Sequence, residues 1–325
     1  MESWLVIVLS IQVTVLRASA FKVSTADFCY REDHCDPYAW METFILCAPD
    51  YTKDHSPIDF NAAVMKNHTI PPLRFTGFHT VQDSWTVANV RDTVVVEFDK
   101  GMTVSGGWLK YEYRLVEMRF HWGSKTTNGS EHTLNRRRFP MEMQMVGLAP
   151  GFADVEAASF SESGLFMMGV FIDIDDTENL PFRLISDTIP SLSYPGDSVN
   201  ITPPALMDLM PEITSQFYQY SGGQTTPPCL QTVSWIVLEN PIFISKDQYL
   251  LFTTSLYYSN KNDPERKLLV ENYRPIQSSF MRKVFASPDA TVPKPSGAAQ
   301  TQDSFSSLCL VFSLLLVLRC VLKML

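Results

Sequence analysis

Short runs of alternating or continuous apolar residues, not helical periodicity, dominate this chain. Thr93-Val-Val-Val-Glu-Phe98, Leu165-Phe-Met-Met-Gly-Val-Phe-Ile-Asp173 and Val233-Ser-Trp-Ile-Val-Leu238 are rich in β-branched and aromatic residues, with Asp, Gly, Pro and Ser clusters between them. They predict strands, and a mainly β (α+β) domain with long loops. Helical patterns are scarce; Pro203 to Met210 and Lys246 to Thr254 are the two short candidates. The stretch Glu117-Met-Arg-Phe-His-Trp-Gly-Ser124 and its sequel Met141-Glu-Met-Gln-Met-Val146 read as two further strands. Side chains alternate along a strand, so Glu117, Arg119 and His121 share one face, and Glu142, Gln144 and Val146 share another.

The two ends follow other rules. Trp4 to Leu16 is apolar and is followed by Ala18-Ser19-Ala20, an export signal with its cleavage site, so residues 1–20 are expected to be removed and Phe21 to begin the mature chain. Leu308 to Leu318 is apolar but stops at Arg319, short of the roughly 20 residues that span a bilayer as a helix. Small residues at Ser296-Gly297-Ala298, a polar spacer and that tail form the pattern for glycosylphosphatidylinositol (GPI) attachment, with Ser296 as attachment residue and 297–325 as propeptide. A short single-pass anchor is the alternative. Residues 287–296 read as an extended stalk, and 21–286 as one domain.

Composition fits an exported chain. The 325 residues carry a formal net charge of −9, and Arg136-Arg137-Arg138 is the one basic run in the body, which argues against nucleic-acid binding. Outside the tail lie four cysteines, Cys29, Cys35, Cys47 and Cys229, which an oxidising compartment would pair as disulfides in one of three ways. Asn67, Asn128 and Asn200 begin glycosylation sequons.

Four segments, in order, resemble the α-class carbonic anhydrases. They are His55-Ser-Pro-Ile-Asp-Phe60, Phe120-His-Trp-Gly-Ser124 with Gly129-Ser-Glu-His-Thr133, Thr225-Thr-Pro-Pro228 with Val233-Ser-Trp-Ile-Val237, and Asn272-Tyr-Arg-Pro-Ile-Gln277. The likeness spans residues 29–285. It implies a twisted, mostly antiparallel central sheet of about ten strands with short peripheral helices. The extracellular, GPI-anchored (carbonic anhydrase IV/XV-like) branch of that family implies the pairing Cys29–Cys35 and Cys47–Cys229.

The same resemblance locates a metal site and shows it altered. The family holds zinc with three histidines, two as H-x-H on one strand and one on the next, and an open fourth position carries the water that attacks CO2. Here those positions read Arg119, His121 and Gln144, with Gln144 twenty-three residues beyond His121 as the family spacing requires. A permanent guanidinium charge at about 5 Å would repel a dication by roughly 7 kcal/mol at an effective dielectric of about 20. No zinc or other cofactor is therefore expected, and no catalytic residue. Glu131, Thr225, Thr226 and Asp92 (at the proton-shuttle position) are read as vestiges. Glu117 and Glu142 are expected to compensate Arg119, one or both pairing with it. Val146, Leu165, Met167, Gln224, Val233 and Trp235 are expected to line the pocket, and His132 to be structural. The resulting expectation is a silent cell-surface glycoprotein that binds an extracellular protein; the alternative is a zinc carbonic anhydrase of weak residual activity.

Overall fold

The computed structural model describes residues 28–50, 53–99, 101–279 and 282–294. The export signal, Ser296 and the 297–325 tail lie outside the described residues. A sheet of 13 strands organises the chain; as expected it is mostly antiparallel, with a few parallel pairings that make it mixed. Ten strands form one continuous run, from Ser198–Ile201 through Trp85–Asn89, Val94–Glu97, Tyr113–Trp122, Met141–Leu148, Leu165–Asp175, Val233–Leu238, Phe217–Gly222 and Phe285–Ala286 to Met65–Lys66. Three more branch from it, and Leu165–Asp175 pairs in parallel with both Val233–Leu238 and Ile242–Ser245.

Two strands at the middle of that run carry the site. Tyr113–Trp122 (the Arg119 strand) and Met141–Leu148 (the Gln144 strand) pair antiparallel. Met118, Phe120 and Trp122 on the first, with Met141, Met143 and Met145 on the second, enter the main apolar core. The intervening residues therefore face the other way. A bulge makes this so: Glu117 pairs with Val146 but Leu115 with Gly147, which leaves Val116 as the extra residue. Before it the odd residues Tyr113 and Leu115 are in the core, and after it the even ones are. Without that one residue, Arg119 and His121 would point into the hydrophobic interior.

Helices are short and peripheral. Lys246–Ser255 forms as expected, one residue longer, and starts with a capping box between Ser245 and Gln248. Of the Pro203–Met210 candidate, a single 3-10 turn at Leu206–Leu209 forms, between an extended Ala205 and an extended Met210, which Pro211 disfavours as helix. No helix among the described residues is long and apolar enough to cross a membrane.

Both expected disulfides are present, Cys29–Cys35 and Cys47–Cys229. Asn128 and Asn200 are exposed and Asn67 is half-buried, so all three sequons reach the surface. The stretch read as a stalk departs from expectation. Ala290 is buried, Tyr218 donates to the Thr291 carbonyl, and the Thr291 amide donates to Glu239. The chain thus stays docked on the domain several residues beyond 286.

Candidate functional site

Antiparallel register sets Arg119 opposite Gln144, His121 opposite Glu142, and Glu117 opposite Val146. Their shared face opens on a cavity of about 800 Å³. Arg119 Nε donates to Glu117 Oε1 at 2.6 Å, and both side chains remain partly exposed, at 28% and 14%. Burial works against the charge on Arg119, but the carboxylates of Glu117 and Asp92 hold its pKa above the ordinary value.

Gln144 is fully buried, and its amide nitrogen donates to Glu131 Oε2 and to Glu142 Oε1, both at 2.9 Å. That fixes the amide orientation, since turning it over would set its oxygen against two carboxylate oxygens. Gln144 Oε1 is left without a hydrogen-bond partner among the described residues. Glu131 Oε1 accepts the Arg274 amide at 3.0 Å. Glu142 accepts the His132 amide and ring Nδ1, both at 2.8 Å, and His132 Nε2 meets the Tyr220 hydroxyl at 2.7 Å. Burial pushes the Glu142 carboxyl up, but the electrostatic attraction of His132, together with the His132 and Gln144 hydrogen bonds, outweighs it and holds its pKa below the usual range.

Close backbone approach makes room for this layer. A Cβ on Gly169, which pairs with Gln144 from the far side, would stand 2.9 Å from Glu142 Oε1. One on Gly129 would stand 1.9 Å from the Gly123 nitrogen, which accounts for the glycine ahead of Glu131. His121 is buried, and its Nδ1 donates to the Asn272 carbonyl at 2.7 Å, which leaves Nε2 3.5 Å from Glu131 Oε2.

The family model of eukaryotic-type carbonic anhydrase matches residues 35–288. The chain belongs to the carbonic anhydrase family. Its relatives include carbonic anhydrase 15 of Mus musculus, 32% identical over 281 residues, which cover 83% of this chain and 86% of that one. Carbonic anhydrase 4 of Rattus norvegicus is 31% identical over 236 residues, covering 71% and 75%. A third, receptor-type tyrosine-protein phosphatase zeta of Homo sapiens, is 31% identical over 254 residues, which are 76% of this chain and 11% of that protein.

Within this carbonic anhydrase fold the expected site residues separate into two groups. Glu117, Arg119, His121, Gln144, Val146, Leu165, Met167, Gln224, Thr225 and Thr226 line the one cavity. Val233 and Trp235 do not. They pair with Leu165 and Met167 from the neighbouring parallel strand, and Trp235 packs edge-on to His132 at 4.7 Å behind the wall. Asp92 also lies elsewhere: it opens on an adjoining cavity of about 340 Å³ that the Phe28–Cys35 segment helps to form. Burial raises its pKa, and Arg119 opposes the rise.

Of the two carboxylates expected to compensate Arg119, Glu117 alone pairs with it; Glu142 sits opposite His121 and is taken up by His132 and Gln144. Glu131 has both oxygens engaged, by Gln144 and by the Arg274 amide. Sequence reading also missed Tyr30, whose buried hydroxyl stands among the charges of Glu131, Asp92, Arg119 and Arg274 and has its pKa raised mainly by burial. For a metal, the three family ligand positions offer one imidazole nitrogen, one neutral amide oxygen and a guanidinium.

Proposed function

We propose that this chain is a catalytically silent member of the carbonic anhydrase family, GPI-anchored at the outer face of the plasma membrane, glycosylated, and acting by binding another extracellular protein. The observation that carries the reading is the pairing of Arg119 with Glu117 at 2.6 Å on the face where the family places a metal. Zinc needs deprotonated or neutral nitrogen, sulfur and oxygen donors in a tetrahedron. Among the three family positions His121 alone supplies such a nitrogen, and the Gln144 amide is committed to two carboxylates. The residues do not fit zinc, so no hydration step is derived through one.

The layer around the missing ligands is kept, which favours selection on the fold over selection on turnover. Glu142, at a position that would orient a ligand histidine in an active relative, and Glu131 here hold a glutamine. A receptor-type phosphatase carries a stretch similar to this one, which supports a role for such domains as recognition modules. The protein partner remains defined by class alone: an extracellular protein.

One observation favours a second reading, a zinc carbonic anhydrase of weak residual activity. His121 keeps Nδ1 on the Asn272 carbonyl and so turns Nε2 toward the site, and the cavity is open. Zinc content of the purified ectodomain, with stopped-flow CO2 hydration, separates the two. The silent reading expects substoichiometric zinc and no turnover above the uncatalysed rate. One equivalent of zinc with acetazolamide-sensitive hydration would replace it by the second.

A further inference from the structure

Seven residues, Cys29-Tyr-Arg-Glu-Asp-His-Cys35, hold two sulfurs, two carboxylates and an imidazole, the kinds of group that zinc takes. The fold gathers them. One ligand atom from each of Glu32, His34 and Cys35 lies within 4.8 Å of the other two. Cys29 Sγ is bonded to Cys35 and accepts a hydrogen bond from the Glu32 amide at 3.3 Å. An amide donated to sulfur is a contact that stabilises a thiolate once one forms. With the bridge closed, neither sulfur is a thiolate and the set is incomplete.

The loop does not depend on the bridge alone for its shape. The Cys29 amide donates to the Cys35 carbonyl at 2.6 Å, and the Cys35 amide to the Glu32 carbonyl at 2.8 Å. The Trp40 indole N–H donates to both the Cys29 and Cys35 carbonyls, each at 2.9 Å, and so clamps the two ends of the loop. Glu32 Oε1 is held by Lys267 Nζ at 2.7 Å and by the Tyr258 hydroxyl at 2.8 Å. Its other oxygen lies 3.9 Å from His34 Nδ1. These contacts keep the four groups near one another when the sulfurs part.

Access separates the two bridges. Cys47 and Cys229 are 4% and 0% exposed, whereas Cys29 and Cys35 are only half-buried at the surface. A reductant in solvent reaches the small loop first.

We propose that the Cys29–Cys35 loop is a redox-gated site for a zinc-type divalent cation, closed while the cysteines are bridged and formed when a dithiol reduces them. The dithiol loses two electrons and two protons and becomes a disulfide, and Cys29 and Cys35 take these up as two thiols. The cation then displaces both thiol protons to solvent and binds the two thiolates, His34 and Glu32. The site lies outside the Arg119 cavity and stands whether or not the silent reading does.

Cobalt(II) tests it, because thiolate-to-cobalt charge-transfer absorption reports cysteine ligation, and no cysteine lines the Arg119 cavity among the described residues. The ectodomain is treated with a dithiol under mild conditions, the dithiol is removed without oxygen, and alkylation with peptide mass analysis establishes which bridge opened. The expected result is opening of Cys29–Cys35 with Cys47–Cys229 intact, one equivalent of cobalt bound with the charge-transfer band, and loss of the band on reoxidation. His34→Ala and Glu32→Gln, each checked by circular dichroism of the oxidised protein, should weaken cobalt binding about tenfold or more. Absence of the thiolate band after selective opening, or a band that both substitutions leave unchanged, would overturn the proposal.

Discussion

Arg119 and Gln144 face one another across an antiparallel strand pair and divide the site's carboxylates between them. Arg119 takes Glu117, toward the cavity mouth, and Gln144 takes Glu131 and Glu142, in the floor. Each substitution thus came with partners already placed. The guanidinium needs an anion and finds one two residues earlier on its own face. The glutamine offers two N–H groups, one to Glu131 Oε2 and one to Glu142 Oε1.

Gln144→Leu should destabilise the domain by about 2–4 kcal/mol, because it leaves two buried carboxylates each short of a donor. Arg119→Ala should cost about 1 kcal/mol or less, since that pair is partly exposed and water replaces it. Urea unfolding of the two variants checks the order. Equal costs would mean that Gln144 is not the keystone of the floor.

The Glu142 carboxyl has a folded pKa below its ordinary value near 4.5. Its bonded, ionised form therefore contributes stability that is fully present above the unfolded pKa and is lost as pH falls through the lower folded value. The stability difference between wild type and Glu142→Gln should be largest above about pH 5 and should shrink below about pH 4. Parallel unfolding curves from pH 3 to 7 would show it. A difference that is flat across that range would mean the loss comes from packing and not from charge.

The Cys47–Cys229 bridge closes a loop with a sequence separation of 182 and holds the chain beneath Arg274, whose guanidinium donates to the Cys47 carbonyl at 3.1 Å. Burial lowers the Arg274 pKa to about 10, and it remains charged at neutral pH. Replacing both cysteines by serine should cost about 2–5 kcal/mol. Thermal unfolding of secreted protein measures it, and a cost under 1 kcal/mol would show that Arg274 and the core hold the segment without the bridge.

How much of this was legible in the sequence depends on how far apart the partners lie. Arg119 and Glu117 could be matched because a strand repeats every two residues, so i and i+2 share a face. Met118 and Phe120 were readable as core by the same rule. Gln144 was identified by spacing, but its bond to Glu131 was not, because that contact depends on a loop between two strands. Which of Glu117 and Glu142 would take Arg119 was left open for the same reason: periodicity gives the face but does not give the neighbour that reaches Glu142 first, here His132. Val233 and Trp235 were placed in the wall, yet they lie behind it, since pairing with Leu165 and Met167 is parallel and the register of parallel strands leaves no short-range mark. Tyr30, Asn272 and Arg274 reach the site from opposite ends of the chain, and no local pattern announces that.

The most direct test of the account is zinc binding by the double variant Arg119→His with Gln144→His, measured on the purified ectodomain beside wild type and each single variant. Glu142 and Glu131 already stand where they would orient a histidine at 144, and His121 already turns Nε2 toward the site. The account predicts one equivalent of tightly bound zinc and measurable CO2 hydration in the double variant, weaker binding in the singles, and neither property in wild type. A folded double variant that stays metal-free, or a wild type that binds zinc as tightly as the double variant, would contradict it.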